Sequence, residues 1–415
     1  MQLKKRVFLA LSVAASLGLS GVTQAQDAIK IGAFSTLEGA FAVLGEESIR
    51  GVEMALHEFN NEAGGKKIEM ITGASDASPD SAVAAARKLV EQDKVQILIG
   101  PLSGSEGLAV KDYAKTQPQT TFLNGSSAAQ DTTLRNPAEN FFRFNPDGAQ
   151  FVAGLGEYTY NDKGYKSVAI IAEDYSFPYT MVFGFMKDYC KLGGTVPAKF
   201  WVPIGTKDYS SVISALPDDV DALWVGLGGA DAVNFLTQYE QAGGDLPMVA
   251  GSITVDQSVL GSKGRSKDYL VGTATASPAA DTNQSEEYQA FVKLYQSVHP
   301  DGFPTPSLFA HEYYISTKAA LLALDEVEGD LSDGHKKYRE ALSNLSFMTP
   351  AGMRSLDENR QVITDIFLTE VVEGPDGNLL TKLVKRVPQV NQTLGEDMET
   401  FLAYGVVGRD NPDCK

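Results

Sequence analysis

Two short serine clusters could do chemistry in this chain: Ser103-Gly104-Ser105 and Ser126-Ser127-Ala128. Serine hydroxyls and the backbone amides at the start of a helix both donate hydrogen bonds. Together they suit a carboxylate or another small anion. Each cluster follows a short apolar run. Val95 and residues 97–99 lead into Gly100-Pro101 and the first serines, and residues 121–123 lead into Asn124-Gly125 and the second. Read as strands buried on both faces, these runs put the two turns at neighbouring strand ends. Ligands settle beside the carboxyl ends of strands in an open α/β sheet, so both turns are expected to face one crevice. One such cluster alone would read first as a helix cap; two at successive strand ends favour a carboxylate pocket.

The elements that must position these turns alternate strand and helix. Residues 29–35 alternate as a strand does, and Ile49, Val52, Leu56 and Phe59 then recur at helical spacing until Gly64-Gly65. A strand over 68–72 and a helix running from 76–79 to 92 precede the first serine turn. Its own helix extends to 115, and a strand over 141–146 closes the unit. A second unit repeats the rhythm, with helices over 150–161, 178–192 and 230–242 and strands over 167–172, 198–202, 222–225 and 248–250. Helical patterns follow at 286–298 and 307–327. Two strands, 362–372 and 379–387, flank the turn Gly374-Pro375-Asp376-Gly377, and an irregular tail begins at Pro388. The fold class is α/β, with doubly wound, mainly parallel sheets.

Lys4, Lys5 and Arg6, an apolar run over 7–22 and the small-x-small site Thr23-Gln24-Ala25 read as an export signal cleaved after Ala25. The run is too short and too interrupted for a membrane span. About 390 residues remain, enough for two domains. Removing the three positive charges of residues 1–25 takes the formal charge from -18 to -21. That balance opposes nucleic acid and anionic membrane surfaces. It leaves room for a local anion site built of backbone donors. Cys190 and Cys414 are the two cysteines. In an exported protein they are expected to bridge tail to body, the alternative being two free thiols.

Enzyme signatures are weak. The four histidines, His57, His299, His311 and His335, lack metal-ligand spacing. His57 falls on an exposed helical face, and His311, near Phe309, is a candidate for a cleft wall. Neither a G-x-S-x-G elbow nor a Walker loop occurs. Gly226, Gly228 and Gly229 imitate part of a dinucleotide loop, but Asp231 stands at the third glycine position, and a rim loop explains them better. Asp218, Asp219 and Asp221 read as a solvated connection. No cofactor is expected.

The export signal, the stretch over 29–71, ILIGPLSGSEG (97–107) and AEDYSFP (172–178) together resemble type I periplasmic binding proteins. They are most similar to the leucine/isoleucine/valine-binding branch that serves ABC importers. The resemblance implies two α/β lobes on a three-stranded hinge: 26–144 with 274–347, and 145–273 with 348–387, leaving 388–415 as tail. It implies a periplasmic, monomeric protein that closes on a small carboxylate and delivers it to an inner-membrane ABC permease. A receptor-linked ligand sensor uses the same fold, and a secreted enzyme is the remaining class. Carried over by position, Gly104 takes the place of the carboxylate-binding serine, flanked by Ser103 and Ser105. Ser126, Ser127 and Ala128 supply the backbone that completes that site. Phe177, with Tyr175 nearby, closes over the ligand; Phe309 is a wall position, and Leu44 replaces a first-loop aromatic. The places of the tyrosine and acid that grip a ligand ammonium are held by Gly228 and Ile253. Burying an ammonium without a partner costs several kcal/mol, so an apolar or aromatic acid fits better. Asp231 and Asp256 lie nearby and would restore an acidic partner for an amino acid.

Overall fold

The computed structural model describes residues 28–414. The expected export signal and its cleavage site lie outside the described residues. Among those described, the strands form two sheets. The first runs β2 (Glu62–Ala63), β3 (Lys66–Ser75), β1 (Ile29–Thr36), β4 (Ile97–Ile99), β5 (Thr121–Leu123), β6 (Phe141–Phe142), parallel throughout except for β2 on β3. The second runs β8 (Lys199–Val202), β7 (Val168–Glu173), β9 (Ala222–Gly226), β10 (Met248–Ala250) and β11 (Ala274–Ser277), all parallel. Antiparallel β14 (Val362–Glu373) continues it, followed by β13 (Gly352–Leu356) and β12 (Phe347–Thr349), while β15 (Leu379–Val390) pairs with β14.

Each sheet and its covering helices make one lobe. The core of the first takes side chains from β1 and β4 and from helices late in the chain, among them Leu308–Glu326 and Lys336–Asn344. The chain therefore returns to its first lobe after building most of the second. Four expectations need correction. Ala274–Ser277, expected in the first lobe, is a strand of the second sheet. The expected tail boundary at 388 falls inside β15. The helix expected over 150–161 is split into Gly148–Phe151 and Leu155–Asn161, because Gly154 adopts a left-handed φ of 79°. The last strand of the first unit stops at Phe142.

The lobes meet at a buried polar crossing. A parallel bridge pairs Arg143 with Gln361, joining the end of the first sheet to the start of β14. The Arg143 guanidinium is fully buried and donates to the carbonyl of Ala129 at 2.6 Å, to Thr133 Oγ1 at 2.7 Å and to the Gln361 side chain. Beside it, Arg354 makes a forked pair with Glu312 at 2.7 and 3.0 Å and donates to the Phe144 carbonyl at 2.6 Å. That pair ties β13 to the helix Leu308–Glu326. Burial raises the Glu312 acid, but Arg354 and His311 together outweigh it and hold Glu312 at about 2.

Candidate functional site

The first serine cluster begins a helix. Ser103 caps Gly104–Ala114 in a reciprocal box: its hydroxyl accepts from the Glu106 amide, and the Glu106 carboxylate accepts from the Ser103 amide at 2.8 Å. Ser103 is thus spent on capping. The amides of Gly104 and Ser105, in the helix's first turn, form no hydrogen bond among the described residues. The second cluster is laced to the first, since the amides of Ser126 and Ser127 both donate to the Pro101 carbonyl, at 3.1 and 3.2 Å. The Ser127 hydroxyl turns to Asn124. Of the three residues whose backbone is expected to complete the carboxylate site, Ala128 alone keeps its amide free of a hydrogen bond among the described residues.

The second lobe presents the start of the helix Ser176–Lys191, which follows β7 and Tyr175 and has no side-chain cap. Here the lobes touch. Ser105 Oγ lies 3.2 Å from Ser176 Oγ, and a Cβ built on Gly104 would stand 2.9 Å from the Phe177 amide nitrogen. Glycine at 104 therefore allows the two helix starts to approach. Around this contact a single apolar cluster gathers Leu44, Ala128, Tyr175, Phe177, Ile253 and Phe309, drawn from both lobes. Phe41 belongs to it as well, with its ring centroid 6.0 Å from Tyr175 across the interface. The first loop therefore does carry an aromatic, at Phe41, three residues before the Leu44 that the resemblance pointed to.

Gly228 and Ile253 sit side by side: a Cβ at 228 would run into the Ile253 side chain. The Gly228 amide donates to Glu173 at 2.9 Å, and burial pushes the Glu173 carboxyl well up. Of the two neighbouring acids, Asp256 is committed to holding the helix start at Ser307 and its own turn. Its carboxylate accepts from Ser307 Oγ at 3.0 Å, Leu308 N at 2.8 Å and Ser258 N at 2.9 Å. Asp231 accepts from the Gly205 amide at 2.7 Å and keeps one buried oxygen without a partner among the described residues. His311 does not line this cleft. It is buried against Phe291 and hydrogen-bonded to Glu312 at 2.8 Å, inside the first lobe. Among the described residues no group of three His, Cys, Asp or Glu is placed to hold a metal. Cys190 and Cys414 are joined, with their Cα atoms 5.3 Å apart.

Leu/Ile/Val-binding protein homolog 6 of Brucella melitensis is 23% identical over 389 residues, covering 91% of this chain and 96% of that protein. An ABC transporter substrate-binding protein from Sphaerobacter thermophilus superimposes with a TM-score of 0.79 at 26% identity, covering 88% of this chain and 99% of its own. A solute-binding protein of an ABC transporter from Rhodopseudomonas palustris BisB5, in complex with 3,4-dihydroxybenzoic acid, gives 0.80 at 23% identity, covering 88% and 98%. The family model for periplasmic binding proteins matches residues 28–377. The two sheets, the chain's return to the first lobe and that match agree: the chain belongs to the periplasmic binding protein family.

Proposed function

We propose that this chain is the exported solute-binding component of an ABC importer, and that it carries a small carboxylate with an apolar or aromatic body to a permease of the inner membrane. The carboxylate would take the free amides of Gly104, Ser105 and Ala128, with the Ser105 hydroxyl beside them. Hydrogen bonds to a charged acceptor contribute about 1.5–3 kcal/mol each. A micromolar ligand needs about 8 kcal/mol, so three or four such bonds plus burial of the ligand's body against Phe41, Phe177 and Phe309 are enough. Lobe closure around the ligand would present the shape that the permease reads. The protein would work as a periplasmic monomer.

The observation that carries this reading is the apolar pair Gly228 and Ile253 where an ammonium would need its partner, with Asp256 already committed to Ser307 and Leu308. The relative that binds 3,4-dihydroxybenzoic acid supports the same class. One observation favours a second reading, an amino acid: the unpartnered buried oxygen of Asp231. A thermal-shift screen of aliphatic and aromatic acids beside amino acids separates the two. A ligand at a hundredfold its Kd adds about 2.7 kcal/mol of stability. Strong shifts by leucine or valine with none from acids lacking an amino group would reject the proposal.

A further inference from the structure

The chain beyond β15 is joined to both lobes. Gln392, leaving the strand, donates to the Gln130 carbonyl at 3.2 Å, to Thr133 Oγ1 at 3.1 Å and to Asp147 Oδ2 at 3.0 Å. The short helix Met398–Ala403 then buries Phe401 among Leu134, Ala149 and Phe183. On the first-lobe side, Arg135 donates to the carbonyls of Gly405 at 2.8 Å and Leu402 at 3.4 Å. Arg135 lies on the connection between β5 and β6. That connection packs on the helix Gly104–Ala114, where a Cβ at Gly107 would stand 3.4 Å from Thr132 Oγ1. On the second-lobe side, Lys187 pairs with Glu396 at 3.0 Å and Lys199 donates to the Pro412 carbonyl at 2.7 Å. Arg409 pairs with Asp174 through a bond of 2.7 Å, and Cys414 is bonded to Cys190.

From this arrangement we infer that residues 391–414 form a strap that holds the two lobes together beside the cleft and positions the ligand-facing segment 174–177. Both ends of the strap are fixed, one by β15 and one by the disulfide, so its middle stays at high effective concentration beside both lobes. Its contact on Asp174 adjoins Tyr175, and its contacts at Phe183 and Lys187 lie further along the helix that begins at Ser176. Opening the cleft would pull on the Arg135 contacts and on the bond from the Gln130 amide to Thr180 Oγ1, through which the β5–β6 connection also touches the second lobe. The strap therefore biases the ligand-free protein toward closure, and Arg409 is a positioning residue for Tyr175.

The test combines Arg135→Ala with Arg409→Ala in the full chain, leaving the disulfide intact. Small-angle scattering of the ligand-free variant should show a larger radius of gyration than wild type. Titration with 3,4-dihydroxybenzoate as probe should show Kd raised by about three- to tenfold, since a smaller closed fraction taxes affinity in proportion. A scattering curve that superimposes on wild type overturns the strap. That arm needs no ligand, so it separates failure of the strap from failure of the carboxylate assignment, which the binding arm rests on. If the double variant does not fold, Phe401→Ala takes its place in the same scattering measurement: expansion supports the strap, and a curve matching wild type overturns it.

Discussion

Replacing Gly104 with alanine should weaken ligand binding without weakening the fold. The added Cβ would stand 2.8 Å from Ser176 Oγ, 2.9 Å from the Phe177 amide nitrogen and 3.1 Å from Phe177 Cβ, all on the opposite lobe. The serine hydroxyl can rotate away; the backbone nitrogen cannot, so the lobes must stop a few tenths of an ångström short of full closure. Overpacking of this kind costs about 1–3 kcal/mol. Only the closed state bears that cost, so Kd should rise about 5- to 150-fold. In the open state that the proposed function requires, the methyl would be clear of the second lobe, and alanine for glycine on a compatible helical backbone is neutral or stabilising by up to about 1 kcal/mol. Calorimetric titration with 3,4-dihydroxybenzoate, beside thermal melts of the ligand-free protein, reads both quantities. Gly107→Ala is the matched contrast, because its Cβ would run into the Ser127 side chain within the same lobe and should lower the ligand-free melting temperature. If Gly104→Ala binds within twofold of wild type, or melts early as Gly107→Ala does, the inter-lobe contact at 104 is wrong.

Glu312→Gln should cost about 3–5 kcal/mol at neutral pH by leaving Arg354 buried and unpaired. The folded Glu312 titrates at about 2, below the ordinary 4.5, so its contribution is complete above pH 4.5 and fades as pH falls through 2. The gap between variant and wild type should accordingly narrow on acidification across that window in urea unfolding. Glu47 has the opposite sign: burial lifts it to about 7 despite Tyr295 and Arg50, so its contribution is complete below pH 4.5 and is lost as pH rises through 7. Denaturation across pH 4–8 should show that downward slope reduced in Glu47→Gln. Cys414→Ser removes a link across 224 residues and should cost about 2–5 kcal/mol, read as a lower melting temperature that reductant no longer changes.

Much of this molecule is legible in its sequence because two signals coincide. Short apolar runs mark β4, β5, β7 and β9, and helical spacing marks the elements between them. The serine turns are where the runs end, and the structure laces them together through Pro101. What escapes the sequence depends on contacts made late. Whether the amides of Ser126 and Ser127 are free is decided by the carbonyl of Pro101, on the preceding turn, and periodicity carries no trace of that. Phe41 becomes a cleft residue only because Tyr175 meets it from the other lobe. The hairpin of β12 and β13 is too short to show an alternation, and Gly154 interrupts a pattern that otherwise continues. The tail reads as irregular because its order comes from Arg135, Lys187, Asp174 and Cys190, not from its own sequence.

Matched pairs that differ only by an amino group test the cleft most directly: phenylalanine against 3-phenylpropanoate, and leucine against 4-methylpentanoate, each titrated into ligand-stripped protein. With Ile253 facing Gly228 and Asp256 already committed, each acid should bind at least about tenfold more tightly than its amino counterpart. Tighter binding by the amino acid in both pairs would contradict a cleft built for a carboxylate on an apolar body.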